Sequence, residues 1–344
     1  MPTARFTIRE IAREAGVSDA TVDRVVHGRG GVRASTAAAV RRAIVDLERH
    51  REAFELGGRS FTLDLVMHSP RRFSSAVWDA FESCRSDLRP ADIRLRPHMS
   101  EHATPAQLAA TLESIRARGS HGVILKAPDV PEVQAAVESL ADAEIPVLTI
   151  VTDLPGSRRL AYVGIDNRSA GATAAYLIRQ WLPPRSSTPT ILLTSSDFRF
   201  QGEEERMVGF RTTSATIAPD WRLVDLTETG GLDRTVEAQI ATMEPDVVVD
   251  AVYSMGGANT ATLDALTRRA HGPDVYIAHD LDTDNLGLLR SGSVSAVLHH
   301  DLRADARRAC GLIMQAQGAI PGTPRTEVAA VQVVTPYNIP APAG

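Results

Sequence analysis

Residues Thr7 to Val26, TIREIAREAGVSDATVDRVV, leave this chain few options at its amino end. Thr7 followed three residues later by Glu10 is the spacing of a capping box. Hydroxyl and carboxylate there each satisfy an orphan backbone N–H, so a helix is predicted from Ile8. Ile8, Ile11, Ala12 and Ala15 then share one face. Gly16 ends that helix where a left-handed residue costs least. Val17 plugs the corner, and Ser18 caps a second helix from Asp19 to about His27. Ser35 opens a third helix, apolar through Val40, Ile44 and Leu47, enough to close a small core. A helix-turn-helix of this kind lays its second helix in the major groove of double-stranded DNA. Asp19, Ala20 and Arg24 are the side chains aimed at base edges, and arginine is the commonest reader of guanine.

Charge agrees with that reading only when the chain is divided. The formal net charge is −5, which does not suggest a nucleic-acid partner. Residues 1–60 alone hold 11 Arg against 8 acidic residues, about +3, and the remainder is about −8. A plain helical hairpin used for protein contact is the alternative, and the capping box, the AGVS corner and the arginines that follow argue against it.

The stretch FTIREIAREAGVSDATVDRVVHGRGGVRASTAAAVRRAI resembles the headpiece of the LacI/GalR bacterial transcription repressors. The resemblance implies base reading by Asp19, Ala20 and Arg24 and phosphate contacts from Ser18, Thr21 and the start of their helix. Two positions depart from the family pattern. Asp23 stands where a serine is usual, and His27 where an asparagine is usual. A carboxylate beside phosphates is repulsive, so Asp23 turns away, pairs with an arginine or alters the operator that is read. The family's hinge helix, which wedges a leucine into the minor groove, corresponds to LERHREAFELGGRS, shortened and without its Pro-Asn, with Leu56 as the wedge.

From Phe61 onward, short β-rich runs alternate with helical ones, the pattern of parallel βαβ units. Strands are predicted at 61–67, 93–99, 122–127, 146–151, 190–195, 221–227, 246–253, 274–279 and 294–299, with helices between them. So many units do not share one small sheet, and the break falls near LAYVGIDNRSAG, 160–171. The expected fold class is α/β, two doubly wound parallel-sheet lobes preceded by a small all-α helix-turn-helix domain. The expected division is a headpiece at 1–50, a hinge at 51–60 and a two-lobed effector-binding and dimerisation domain at 61–338. The N-lobe would comprise about 61–165 plus 301–320, and the C-lobe about 166–298 plus 321–338.

This order resembles the type I periplasmic-binding-protein fold of the same repressors' effector domain, whose ligands sit between the lobes. Arg206 in ERMVGF matches the family's R-x-x-G-F arginine, which grips effector oxygens with its fork of donors. Asp280 in IAHDLD matches the cleft aspartate that accepts from sugar hydroxyls, and His300 or His299 stands where sugar-binding relatives carry glutamine. Arg72 and Phe73 follow the first strand of the lobe, Asp129 follows the third, and Met255 lies near the usual cleft asparagine. Each has a bland alternative. Arg206 and Arg72 could be surface residues, Asp280 a helix cap, and the two histidines solvated. DLDTDN at 280–285 is not a calcium loop, because Asn285 and Ser291 replace the required Gly and Glu.

The leading expectation is a sequence-specific transcription regulator, a repressor acting as a cytoplasmic homodimer on a pseudo-palindromic operator. Its effector is expected to be a sugar or polyol, with a phosphorylated sugar or a purine as alternatives. A solute-binding protein without DNA function is the second class. It requires a signal peptide, whereas the amino end has no apolar h-region. No run approaches a membrane span of about 18 apolar residues. An enzyme is the third class, and no P-loop, G-x-S-x-G, H-E-x-x-H or dinucleotide fingerprint is present. No cofactor or metal is expected. Cys84 and Cys310 are too few for a disulfide framework and read as inert helix residues. Lys126 is the only lysine beside 36 arginines, which reads as codon bias in a GC-rich genome.

Overall fold

The structure, a computed structural model, describes residues 6–340 except 90, 185–186, 245, 270–271 and 327, and of 48–56 it describes the backbone only. Three helices come first: α1 (Ile8–Ala15), α2 (Asp19–Val26) and α3 (Ala34–Leu56). The capping box forms, with Glu10 N–H donating to the Thr7 hydroxyl and Thr7 N–H to the Glu10 carboxylate. Gly16 takes the left-handed conformation at φ 64°. Ile11, Ala12, Val22 and Val40 are buried at the centre, ringed by Ile8, Val17, Ile44 and Leu47. The third helix runs on through Leu56, well past the predicted apolar face that ended at Leu47.

The next elements are β1 (Ser60–His68), α4 (Arg71–Cys84), β2 (Asp92–Ser100), α5 (Pro105–Arg118), β3 (Gly122–Lys126), α6 (Pro131–Asp142), β4 (Val147–Ile150) and β5 (Ala161–Val163). Their strands form one all-parallel sheet in the order β2-β1-β3-β4-β5. β3 and β4 are buried along their whole length, as strands covered by helices on both faces must be.

A second group follows: α7 (Asn167–Trp181), β6 (Thr190–Thr194), α8 (Gln201–Ile217), β7 (Arg222–Leu226), α9 (Asp233–Ala241), β8 (Ala251–Ser254), α10 (Asn259–Arg269), β9 (Val275–His279), α11 (Thr283–Ser291), β10 (Ala296–His299), α12 (Leu302–Ala316) and β11 (Gln332–Val334). Here the sheet order is β11-β10-β9-β8-β6-β7, parallel except for β11, which closes the edge antiparallel to β10. β11 has no counterpart among the predicted strands. Only three residues long, it pairs with β10 at an edge and carries too little alternation to read.

Although α12 follows β10, its buried residues Ala306, Ala309, Cys310 and Ile313 pack into the core of the first sheet with Phe61, Leu63, Phe81 and Cys84. The chain therefore passes between lobes after β5, after β10 and again before β11. A parallel bridge between Ile165 and Ala329 holds two of these crossings side by side. Cys84 and Cys310 lie buried in that core on α4 and α12, the Cys84 thiol donating to the Phe81 carbonyl at 3.2 Å.

Both sheets present the carboxyl ends of their strands to one shared cleft. The backbone joins across it: Asp129 N–H donates to the Arg199 carbonyl at 2.7 Å, and Gly202 N–H to the Thr152 hydroxyl at 3.0 Å.

Candidate functional site

In the headpiece, Ser18 caps α2, its hydroxyl accepting from Thr21 N–H at 3.3 Å. Val22 is fully buried, which turns the opposite face outward, so Ser18, Asp19, Ala20, Arg24 and His27 are exposed and Thr21 is half-buried. Asp23 pairs with an arginine, the second of the three fates open to it. Arg29 reaches its carboxylate at 2.7 Å, and the His27 ring approaches its other oxygen at 2.9 Å. The side chain of Leu56 lies outside the described residues.

Between the lobes is a cavity of about 490 Å³. Of the residues expected there, Arg72, Phe73, Arg206, Met255 and Asp280 line it. The position of Arg206 follows from two glycines. At Gly171 of α7 a Cβ would lie 1.9 Å from the Arg206 carbonyl oxygen, and at Gly209 of α8 one would lie 2.0 Å from the Arg168 carbonyl oxygen. The two helices can therefore touch backbone to backbone. With Phe210 turned into the core, Arg206 faces the cleft, 3% exposed. Its Nε donates to Asn167 Oδ1 at 2.8 Å and its Nη1 to the Met255 carbonyl at 3.1 Å, so Met255 contributes a backbone acceptor.

Arg72 spans the cleft. From the first turn of α4 it donates to the Gly231 carbonyl at 2.9 Å and lies 3.4 Å from Asp282, both in the second lobe. Burial pushes the Asp282 carboxyl up to about 6.

Asp280 follows β9 with φ 64°, a left-handed backbone that a non-glycine residue adopts at a cost. Burial alone would raise its carboxyl, but His300, Arg206 and His279 hold it well below the usual range. Its Oδ1 lies 3.5 Å from His300 Nε2, yet neither atom makes a hydrogen bond. His300 is bonded through Nδ1 to Asp305. Burial disfavours its charge, but the two carboxylates outweigh that and carry the ring up to about 9.

Three expected ligand residues do not line the cavity. His300 is buried behind Asp280 and orients it instead of reaching a ligand. The His299 ring accepts from Leu281 N–H at 3.2 Å, and burial lowers it to about 4. The Asp129 carboxylate is turned to Gln134 on its own following helix, at 2.6 Å.

Several lining residues escaped the sequence reading: Lys126, Glu203, Asp197, Arg199, His68 and Phe200. Lys126 ends the buried strand β3, with its ammonium 4.0 Å above the Phe200 ring and 3.2 Å from the His68 carbonyl. Burial lowers it to about 8. The readable signal was a lone lysine at the carboxyl end of an otherwise apolar strand, where α/β sheets bind ligands. Glu203, raised by burial, accepts from the Ser196 N–H and hydroxyl.

The bacterial regulatory protein, lacI family, matches residues 7–51, and the periplasmic binding protein domain family matches 68–319. The chain belongs to the LacI family of bacterial regulatory proteins. As a LacI-family protein it is a ligand-regulated DNA-binding regulator, and neither matching family is an enzyme family. Among solved structures, this LacI-family chain is similar to GanP, a glucose-galactose binding protein from Geobacillus stearothermophilus. That match has TM-score 0.70 at 19% identity over 82% of this chain and 100% of that one. A protein from Bacteroides fragilis assigned to the LacI transcriptional regulators matches with TM-score 0.68 at 17% identity, over 81% and 98%. A carbohydrate transporter from Acidothermus cellulolyticus 11B, in complex with myo-inositol, matches with TM-score 0.67 at 15% identity, over 81% and 95%. At such identities the likeness is one of fold. Comparison with curated proteins gives no significant match. Among the described residues, no helix is long and apolar enough to cross a membrane.

Proposed function

We propose that this LacI-family regulator is a cytoplasmic repressor that binds a pseudo-palindromic operator as a homodimer and is released by a sugar or polyol bound between its lobes. In this reading, residues 1–50 read DNA, 51–60 form the hinge, and 61–338 bind effector and dimerise. Arg24, Asp19 and Ala20 read bases, while Ser18 and Thr21 hold phosphates. The glucose-galactose binding protein and the myo-inositol complex of like fold support the effector class. The observation that carries the reading is the lining of the cavity. His68 Nδ1 and His279 Nδ1 are buried polar atoms without a hydrogen-bond partner, and both belong to lining residues. Buried groups left so cost about 1–3 kcal/mol each, and a polyhydroxylated ligand would satisfy them.

Effector binding would shift a population between lobe arrangements, closed about Arg206, Asp280 and Arg72, and so change the spacing of paired headpieces. The test is thermal shift of the full chain across sugars, polyols, sugar acids and sugar phosphates, then operator binding with each compound that stabilises it. A rise in Tm coupled to weakened operator binding is expected. If no compound stabilises the protein, or if those that do leave operator binding unchanged, the reading fails.

A further inference from the structure

The carboxylates and the cations that line the cavity are not equally provided for. Glu203 is held by the Ser196 N–H and hydroxyl, and Asp197 by a two-pronged contact from Arg199 at 2.9 and 2.5 Å. Asp282 accepts from Asn285 N–H at 2.8 Å and faces Arg72, while Asp280 faces His300. Each buried acid thus has a donor or a cation from the protein itself.

Lys126 and Arg206 do not have the converse. Among the described residues, no carboxylate oxygen lies within 4.0 Å of either. Their partners are neutral: the His68 carbonyl and the Phe200 ring for Lys126, the Asn167 amide and the Met255 carbonyl for Arg206. Lys126 is 8% exposed and Arg206 3%, so little water reaches them, and Glu203, Asp280 and Asp197 favour the charge on Lys126 only from beyond contact distance. A buried ammonium with only neutral acceptors is an incomplete arrangement, since buried charges are ordinarily paired. The Phe200 ring is also taken up, stacked on His68 at 5.7 Å between centroids and covered by the ammonium, so it is a poor platform for an apolar sugar face.

We propose that the effector carries an acidic group, a carboxylate or a phosphate, which Lys126 receives with Arg206 as the second cation of the same cavity. This rests on the reading of the cleft as the effector site and narrows its ligand from neutral sugars to acidic sugar derivatives. Lys126 is then the residue that sets specificity. An anion beside it restores the charge that burial disfavours, so complex formation takes up a proton above about pH 8.

Isothermal titration of the full chain against matched sets tests this: a hexose or pentose, its aldonate or uronate, and its phosphate. The expected result is binding of one acidic member at least tenfold tighter than its neutral parent, the better acid deciding between carboxylate and phosphate. Lys126→Met, with Tm measured to establish folding, should lose most of that preference, the acid's affinity falling by a larger factor than the neutral parent's. Lys126→Arg should keep it, which excludes a merely structural role. A neutral parent that binds as tightly as both acids would overturn the proposal, as would a preference that survives Lys126→Met. Either of those results leaves the effector site standing. Absence of binding by every member would sink both readings.

Discussion

Gly209 of α8 lies against the Arg168 carbonyl of α7, so close that a Cβ would sit 2.0 Å from the oxygen. The contact involves backbone on both sides, and no rotamer change can relieve it. Gly209→Ala must push the helices apart, at the cost of about 1–3 kcal/mol expected of overpacking. Because Arg206 sits three residues before it on the same helix, ligand affinity should fall together with stability. Urea denaturation and isothermal titration of the variant check both. A variant of unchanged stability would show that the helices slide apart freely.

Arg24 is exposed on the outer face of α2, opposite the fully buried Val22. Arg24→Ala should lose about 1–3 kcal/mol of operator affinity and relax the preference at one base pair, with folding intact. Fluorescence anisotropy on an operator selected in vitro, and on single-base variants of it, measures this. Asp23→Ala should free Arg29 from its ion pair and steepen the salt dependence of binding, since one more cation becomes available for phosphates.

Acidity should act through His300. Its ring is carried from 6.5 up to about 9 by Asp280 and Asp305 once burial is outweighed. A raised folded-state value means stabilisation that is complete below pH 6.5 and lost as pH rises through about 9. Urea midpoints of the wild type and His300→Asn should therefore converge between those limits. Lys126 works in the opposite sense, its burial cost being full below about pH 8 and relieved toward 10.5, so the comparison must be made against the variant and not on the wild type alone. A difference that does not change with pH would contradict the assignment of charge to His300.

Arg72 joins the lobes through the Gly231 carbonyl and Asp282. Its side chain is partly exposed, so the pair is worth at most about 1 kcal/mol. Arg72→Ala should weaken effector binding a few-fold, by favouring the open arrangement, without altering operator affinity in the absence of effector. Titration calorimetry and anisotropy separate the two effects.

The capping box, the Gly16 corner and the alternation of strand and helix are local signals, and the elements they predict are present in the structure. Arg206 could be placed because R-x-x-G-F records its own geometry: a glycine for close approach and a phenylalanine for the core fix where the arginine points. Asp129, His299 and His300 show what position along a strand does not settle. Each stands at or just past a strand end, yet their side chains turn to Gln134, to Leu281 N–H and to Asp305. The meeting of Lys126 with Glu203 and Asp197 was illegible for another reason. They meet only because two lobes fold from interleaved segments, and no local period encodes which strand end faces which. The solitary lysine was visible as a count, and its burial beside Phe200 was not.

The most direct measurement is operator affinity of the full chain with and without a compound shown to bind the cavity, in wild type and in Asp280→Asn. The account predicts a 5- to 150-fold change in the wild type, a coupling of roughly 1–3 kcal/mol, and little or none in the variant, whose affinity without the compound stays unchanged. A compound that occupies the cavity while leaving wild-type operator affinity the same would contradict it.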